Sequence, residues 1–123
     1  MKKQKICIIG TGLTGLITAL SLSKLNLSID LIGSNLKQNF SDNRTLAISE
    51  DNLNFLKEKI LIDSKKIKFW PCTKVELYSE SKKDHFSKLF EIKKNNRQML
   101  YMVKNSDLMK YVFEKIKKSN SIK

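Results

Sequence analysis

Histidine and proline each occur once in the 123 residues, cysteine twice and glycine four times. A single histidine, His85, excludes a zinc site built on several histidines. It follows the charged run Lys82-Lys83-Asp84 at an expected turn, where a solvated surface role fits better than catalysis. Cys7 and Cys72 are far apart and in no C-x-x-C arrangement. That argues against a disulfide or a metal pair and fits a reducing compartment, so the expected location is cytoplasmic. Cys7 is expected to be a small buried hydrophobe in the first strand. With Pro71 as the only proline, no Pro/Gly-rich linker marks a domain boundary, and the length suits one domain.

Long hydrophobic runs are also missing. The apolar stretch near the N-terminus is broken by Thr and Ser and is too short for a membrane span. Met1-Lys2-Lys3-Gln4-Lys5 followed by apolar residues resembles a secretory signal, but the stretch contains closely spaced glycines and no A-x-A cleavage site follows. Acidic residues are scarce: 12 Asp and Glu against 24 Lys and Arg, a formal charge of +12. Such a charge suits nucleic acid or an anionic membrane surface. The lysines, however, are scattered in pairs such as Lys65-Lys66 and Lys117-Lys118, with no long basic block and no RNA-binding aromatic signature. Compositional bias is the better reading, so no specific nucleic-acid partner is expected. Peripheral membrane association stays open.

What the chain does have is concentrated early. Three of its four glycines fall in Gly10-Thr11-Gly12-Leu13-Thr14-Gly15. Lys5-Ile6-Cys7-Ile8-Ile9 before them reads as a buried parallel strand. Leu16 to Leu25 has apolar residues at helical spacing, and Leu27–Ile32 reads as a second strand. Strand, glycine turn, helix, strand is a βαβ unit with G-x-G-x-x-G at its first turn, which is the context that motif requires for dinucleotide binding. Gly10 allows the tight turn, Gly12 lets a pyrophosphate approach the backbone, and Gly15 lets helix and strand pack closely. The helix N-terminus offers unpaired N–H groups and the positive end of its dipole to the phosphates. The acid that usually meets the ribose at the end of the second strand is absent: Ile32-Gly33-Ser34 stands there. Ser34 offers one weaker hydrogen bond, and Asp30 lies inside the strand.

Downstream, 34–43 reads as a loop. Ser49 caps a helix with Glu50 and Asp51 in its first turn, Leu53, Leu56 and Ile60 on its apolar face, and Lys57 and Lys59 late in it. Phe69-Trp70-Pro71 breaks the regular pattern. Residues 73–79 alternate as a half-buried strand, 81–84 form a turn, and 86–92 are its hairpin partner. Residues 99–103 are a further strand candidate. Ser106 or Asp107 opens a helix with Leu108, Val112 and Ile116 on one face. The tail Ser121-Ile122-Lys123 reads as the start of another strand of the first sheet.

In this order the elements resemble the N-terminal part of the FAD-dependent aromatic-ring monooxygenases, most closely the ubiquinone-biosynthesis hydroxylases. The resemblance rests on Gly10 to Gly15, on Asp42-Asn43-Arg44-Thr45-Leu46-Ala47-Ile48-Ser49, on Trp70 to Leu77, and on Leu100 to Leu108. It implies an α/β fold: an incomplete Rossmann-like FAD-binding βαβ unit (5–60 and 106–123) with added strands of a substrate-side sheet (about 73–103). It implies FAD as cofactor, NAD(P)H as electron donor of the complete enzyme, and an aromatic or quinone-precursor substrate. Gly10, Gly12, Leu13, Thr14, Gly15, Ser34, Arg44 and Asn105 would contact FAD. Two departures stand out: Gly33 replaces the ribose-binding acid, and Ser106 stands where the family commonly has arginine. The family's later FAD motifs and most of its ring pocket fall outside these residues, so no catalytic residue is assigned and the chain alone is expected to be inactive. A non-catalytic nucleotide-binding or interaction module, or a basic nucleic-acid-binding protein, are the alternative readings. The oligomeric state is not legible.

Overall fold

The computed structural model describes residues 3–34, 43–80, 86–93 and 98–123. Residues 35–42 of the expected 34–43 loop, the turn at 81–84 and His85 lie outside the described residues.

The chain opens with β1 (Gln4–Ile9), α1 (Leu13–Leu22) and β2 (Leu27–Ile32). β1 and β2 pair in parallel, from Gln4 opposite Leu27 to Ile9 opposite Ile32. Alternate residues point to opposite faces of a strand. Ile8 and Leu31 therefore pack with buried Ile29 against the core that α1 and α3 (Asn105–Lys117) supply, while Lys5, Cys7 and Ile9 point away. Here the structure corrects the sequence reading. Cys7 is exposed, and Ile9 is 85% exposed, because no described element covers the outer face of this sheet. α1 also begins three residues earlier than expected, directly after Gly12.

The tail adds to the same sheet. Ile122 forms a parallel bridge to Ile29, with Lys123 N–H donating to the Ile29 carbonyl at 2.9 Å and Leu31 N–H to the Lys123 carbonyl at 2.8 Å. It lies beside β2, so among the described residues β1 has no strand on its other edge.

The second layer is built on β3 (Thr45–Ser49), β7 (Leu100–Lys104) and β4 (Trp70–Cys72), in the antiparallel order β3-β7-β4. Two of these strands were not expected. β3 occupies what reads as a lead-in to a helix, and β4 spans the supposed break at Pro71. Proline is tolerated there because β4 is an edge strand, where a missing N–H costs no ladder bond. α2 (Glu50–Lys59) follows β3 as expected: the Ser49 hydroxyl accepts the Asn52 N–H at 3.2 Å, Glu50 and Asp51 occupy the first turn, and Lys57 and Lys59 the last. That cap is worth about 1 kcal/mol. α3 starts one residue before the expected Ser106, because β7 leads straight into it through Lys104. Leu108, Val112 and Ile116 are buried on its inner face, joined by Met109. Together with Leu16, Ala19, Ile29, Ile48, Leu53, Leu56 and Val103 they form one continuous core.

β5 (Lys74–Glu80) and β6 (Phe86–Lys93) pair antiparallel as the expected hairpin, with a register shift at Leu77/Tyr78. They form their own two-stranded sheet, so the strands between 73 and 103 divide between two sheets. Every residue of β6 is exposed. Lys88 bridges Glu76 and Glu91 at 3.5 and 2.7 Å across the charged face.

Candidate functional site

The glycine turn sits at the carboxyl ends of two parallel strands, where open α/β sheets bind ligands. Gly10 has φ +121°, a backbone only glycine adopts readily, and its N–H donates to the Ile32 carbonyl at 2.7 Å. That bond ties the turn to the end of β2. Gly15 is fixed for a different reason: a Cβ there would lie 2.0 Å from the Gly10 carbonyl oxygen. The helix approaches the turn so closely that no larger residue fits.

Gly12 is the helix N-cap, with extended backbone, and the first intrahelical bond runs from Leu16 N–H to its carbonyl at 3.0 Å. The amides of Leu13, Thr14 and Gly15 have no intrahelical acceptor. Gly12 provides no side-chain cap, and the first turn carries no acid. A Cβ on Gly12 would meet nothing within 4 Å, so the space before these amides is open. An open approach, uncompensated N–H groups and a positive helix end fit a pyrophosphate.

The missing acid now has a physical account. Gly33 has ordinary backbone, but a Cβ on it would lie 2.4–2.9 Å from three side-chain atoms of Thr11. Thr11 is 5% exposed, and its hydroxyl donates to the Ser34 carbonyl at 3.2 Å. Thr11 thus fills the room that a side chain at position 33 would need. The sequence reading passed over Thr11. Its signal was the glycine at 33, which required a neighbour.

Ser34 is exposed at the end of β2, on the glycine-turn side. Asp30 stands opposite Cys7, on the outer face and short of the strand end. Arg44 and Asn105 are brought together elsewhere: Asn105 N–H donates to the Arg44 carbonyl at 2.9 Å, because antiparallel pairing sets Thr45 opposite Lys104. A cleft of about 580 Å³ lies against α1, and its lining includes Leu13 and Thr14 but none of Gly10, Gly12, Gly15, Ser34, Arg44 and Asn105. Leu13, Thr14 and Ile17 of α1 line one wall, and Leu46, Phe55 and Leu108 line the other. Leu46 and Leu108 follow Arg44 and Asn105 closely in β3 and α3. Among the described residues no group of three or more metal-ligating side chains occurs, and no helix is long and apolar enough to cross a membrane.

Comparison with known proteins adds to this geometry. No protein-family model matches the chain, and no curated protein matches it. Solved structures do. FqzB aligns over 99% of this chain and 29% of its own, at 16% identity and a TM-score of 0.69. The p-nitrophenol 4-monooxygenase PnpA from Pseudomonas putida DLL-E4 aligns over 97% of this chain and 31% of its own, at 15% identity and a TM-score of 0.63. A candidate FAD-containing monooxygenase from Photorhabdus luminescens subsp. laumondii TTO1 aligns over 98% and 30%, at 14% identity and a TM-score of 0.66. The likeness is one of fold. The chain has a mixed α/β architecture with several sheets, shared with part of these proteins, and it spans less than a third of each.

Proposed function

We propose that this chain is the FAD-binding, N-terminal portion of a flavin-dependent monooxygenase that hydroxylates an aromatic ring. The observation that carries the reading is the glycine turn: an open backbone approach at Gly12 before uncapped amides of α1, at the carboxyl end of β1 in a parallel strand–helix–strand unit. The fold likeness to monooxygenases supports it. In this reading Gly10, Gly12, Leu13, Thr14 and Gly15 hold the pyrophosphate, Ser34 faces the ribose, and Arg44 makes a charge-assisted hydrogen bond beside Asn105. Bound flavin supplies the oxygen chemistry, with NAD(P)H as electron donor of the complete enzyme. This chain's own residues bind and orient the cofactor. The resemblance of residues 42–49 and 100–108 to ubiquinone-biosynthesis hydroxylases makes a quinone precursor the proposed substrate class.

The test is Gly12→Val. Its side chain enters open space, so the fold persists, but it occupies the path of the pyrophosphate. Flavin content is expected to fall to background while the circular dichroism spectrum is kept. Unchanged flavin content overturns the reading.

A further inference from the structure

A second cleft lies away from the glycine turn, between α2, the segment 61–69 and β7. It has a volume of about 490 Å³ and is lined by Leu53, Lys57, Ser64, Lys65, Lys66, Lys68, Phe69 and Tyr101. Four lysines and no acid border it. None of the four takes part in an ion pair found among the described residues, and Lys68 holds its ammonium 5.3 Å from the Trp70 ring centre.

The lysines are held in place by the backbone that carries them. Leu61 leaves α2 with φ +55°, turning the chain sharply. Ile62 and Ile67 are buried, which anchors both ends of the turn and forces Lys66 and Lys68, on either side of Ile67, outward. The Tyr111 hydroxyl on α3 accepts the Asp63 N–H at 3.1 Å and donates to the Leu61 carbonyl at 3.0 Å. The Asp63 carboxylate accepts the Lys65 N–H at 2.9 Å, and Lys66 N–H bonds the Asp63 carbonyl at 2.9 Å. Lys65, Lys66 and Lys68 of this pinned segment thus border one cleft with Lys57 of α2, four like charges whose mutual repulsion an anion relieves. Phe69 and Tyr101 are half-buried and add ring faces to the same lining. Ammonium groups beside aromatic faces suit a ligand that carries both phosphate and a flat ring.

We propose that this cleft binds a nucleotide-type anion, its phosphates on Lys57, Lys65, Lys66 and Lys68 and its base against Phe69 and Tyr101. The site is separate from the glycine turn and does not depend on its assignment. A free nucleotide and a single-stranded nucleic acid present the same chemistry, and two probes separate them: a fluorescent N-methylanthraniloyl ADP and a labelled twelve-residue oligo(dT).

The experiment titrates the full chain, Lys65→Gln/Lys66→Gln, Lys65→Arg/Lys66→Arg, and a charge-matched control, Lys110→Gln/Lys118→Gln, with both probes. The cleft double variant is expected to lose affinity by about tenfold or more, the arginine pair to retain it, and the control to change it little. All these side chains are exposed, so folding is not at stake. Tighter binding of the oligonucleotide, with a salt slope about 1.4 smaller in the cleft variant, identifies a strand as the source. Equal or tighter binding of the ADP probe, lost in the cleft variant and kept in Gly12→Val, identifies a free nucleotide in this cleft rather than at the glycine turn. No binding of either probe overturns the proposal. So does an equal loss in cleft and control variants, or an unchanged affinity in the cleft variant.

Discussion

Gly33→Asp restores the acid that a ribose would meet, yet the structure predicts that the substitution alone fails. The new Cβ lies 2.4–2.9 Å from Thr11 Cγ2, Oγ1 and Cβ, and Thr11 is buried and bonded to the Ser34 carbonyl. Overpacking of this kind costs about 1–3 kcal/mol. Thr11→Gly removes all three obstructing atoms, at the cost of one hydrogen bond of about 1 kcal/mol and of glycine's entropy, about 0.5–1 kcal/mol. The double variant should therefore be more stable than the sum of the single changes, with a coupling of about 1–3 kcal/mol. It should also bind FAD more tightly than Thr11→Gly alone by about 1.5–3 kcal/mol, if the carboxylate reaches a ribose hydroxyl. Urea denaturation of the four proteins gives the coupling, and a flavin titration gives the affinities. Strictly additive stabilities, or a Gly33→Asp protein as stable as wild type, would refute the argument that Thr11 excludes the acid.

Three further outcomes are expected. Arg44→Ala should weaken FAD binding by about 1.5–3 kcal/mol if its guanidinium makes a charged hydrogen bond; a flavin titration with equal affinities would place that side chain away from the cofactor. Ser49→Ala removes the hydroxyl that accepts the Asn52 N–H and should destabilise the protein by about 1 kcal/mol, whereas Ser49→Asp should not, as read by thermal melting. In the hairpin, the hydrogen bond from Lys74 holds the Glu76 carboxyl below its ordinary 4.5, against the opposing effect of desolvation. Its contribution is therefore present above 4.5 and lost as pH falls through the lowered folded value. Amide protection factors in β5 and β6, corrected for the intrinsic exchange rate, should fall on acidification below that point, and Glu76→Gln should reduce that fall.

The sequence by itself determined the local elements whose signals are short-range. The parallel pair at 4–9 and 27–32, the Ser49 cap, the apolar face of α3 and the 74–93 hairpin all follow from residue order, capping chemistry and periodicity. The glycine roles at 10 and 15 were legible for the same reason: the motif's spacing is dictated by a backbone turn and a helix contact that glycine alone permits. The tertiary structure decided what depends on neighbours distant in the chain. Cys7 sits on an apolar strand, yet which face is covered depends on where α1 and α3 pack, and it fell on the open one. Pro71 became a strand residue because β7 offered an edge that needs nothing from the missing N–H. Thr11 and Gly33 exclude a carboxylate only because the Gly10–Ile32 bond brings the two turns together. Periodicity encodes which residues can be buried, but contact between segments far apart in sequence is settled by packing, which no local pattern carries.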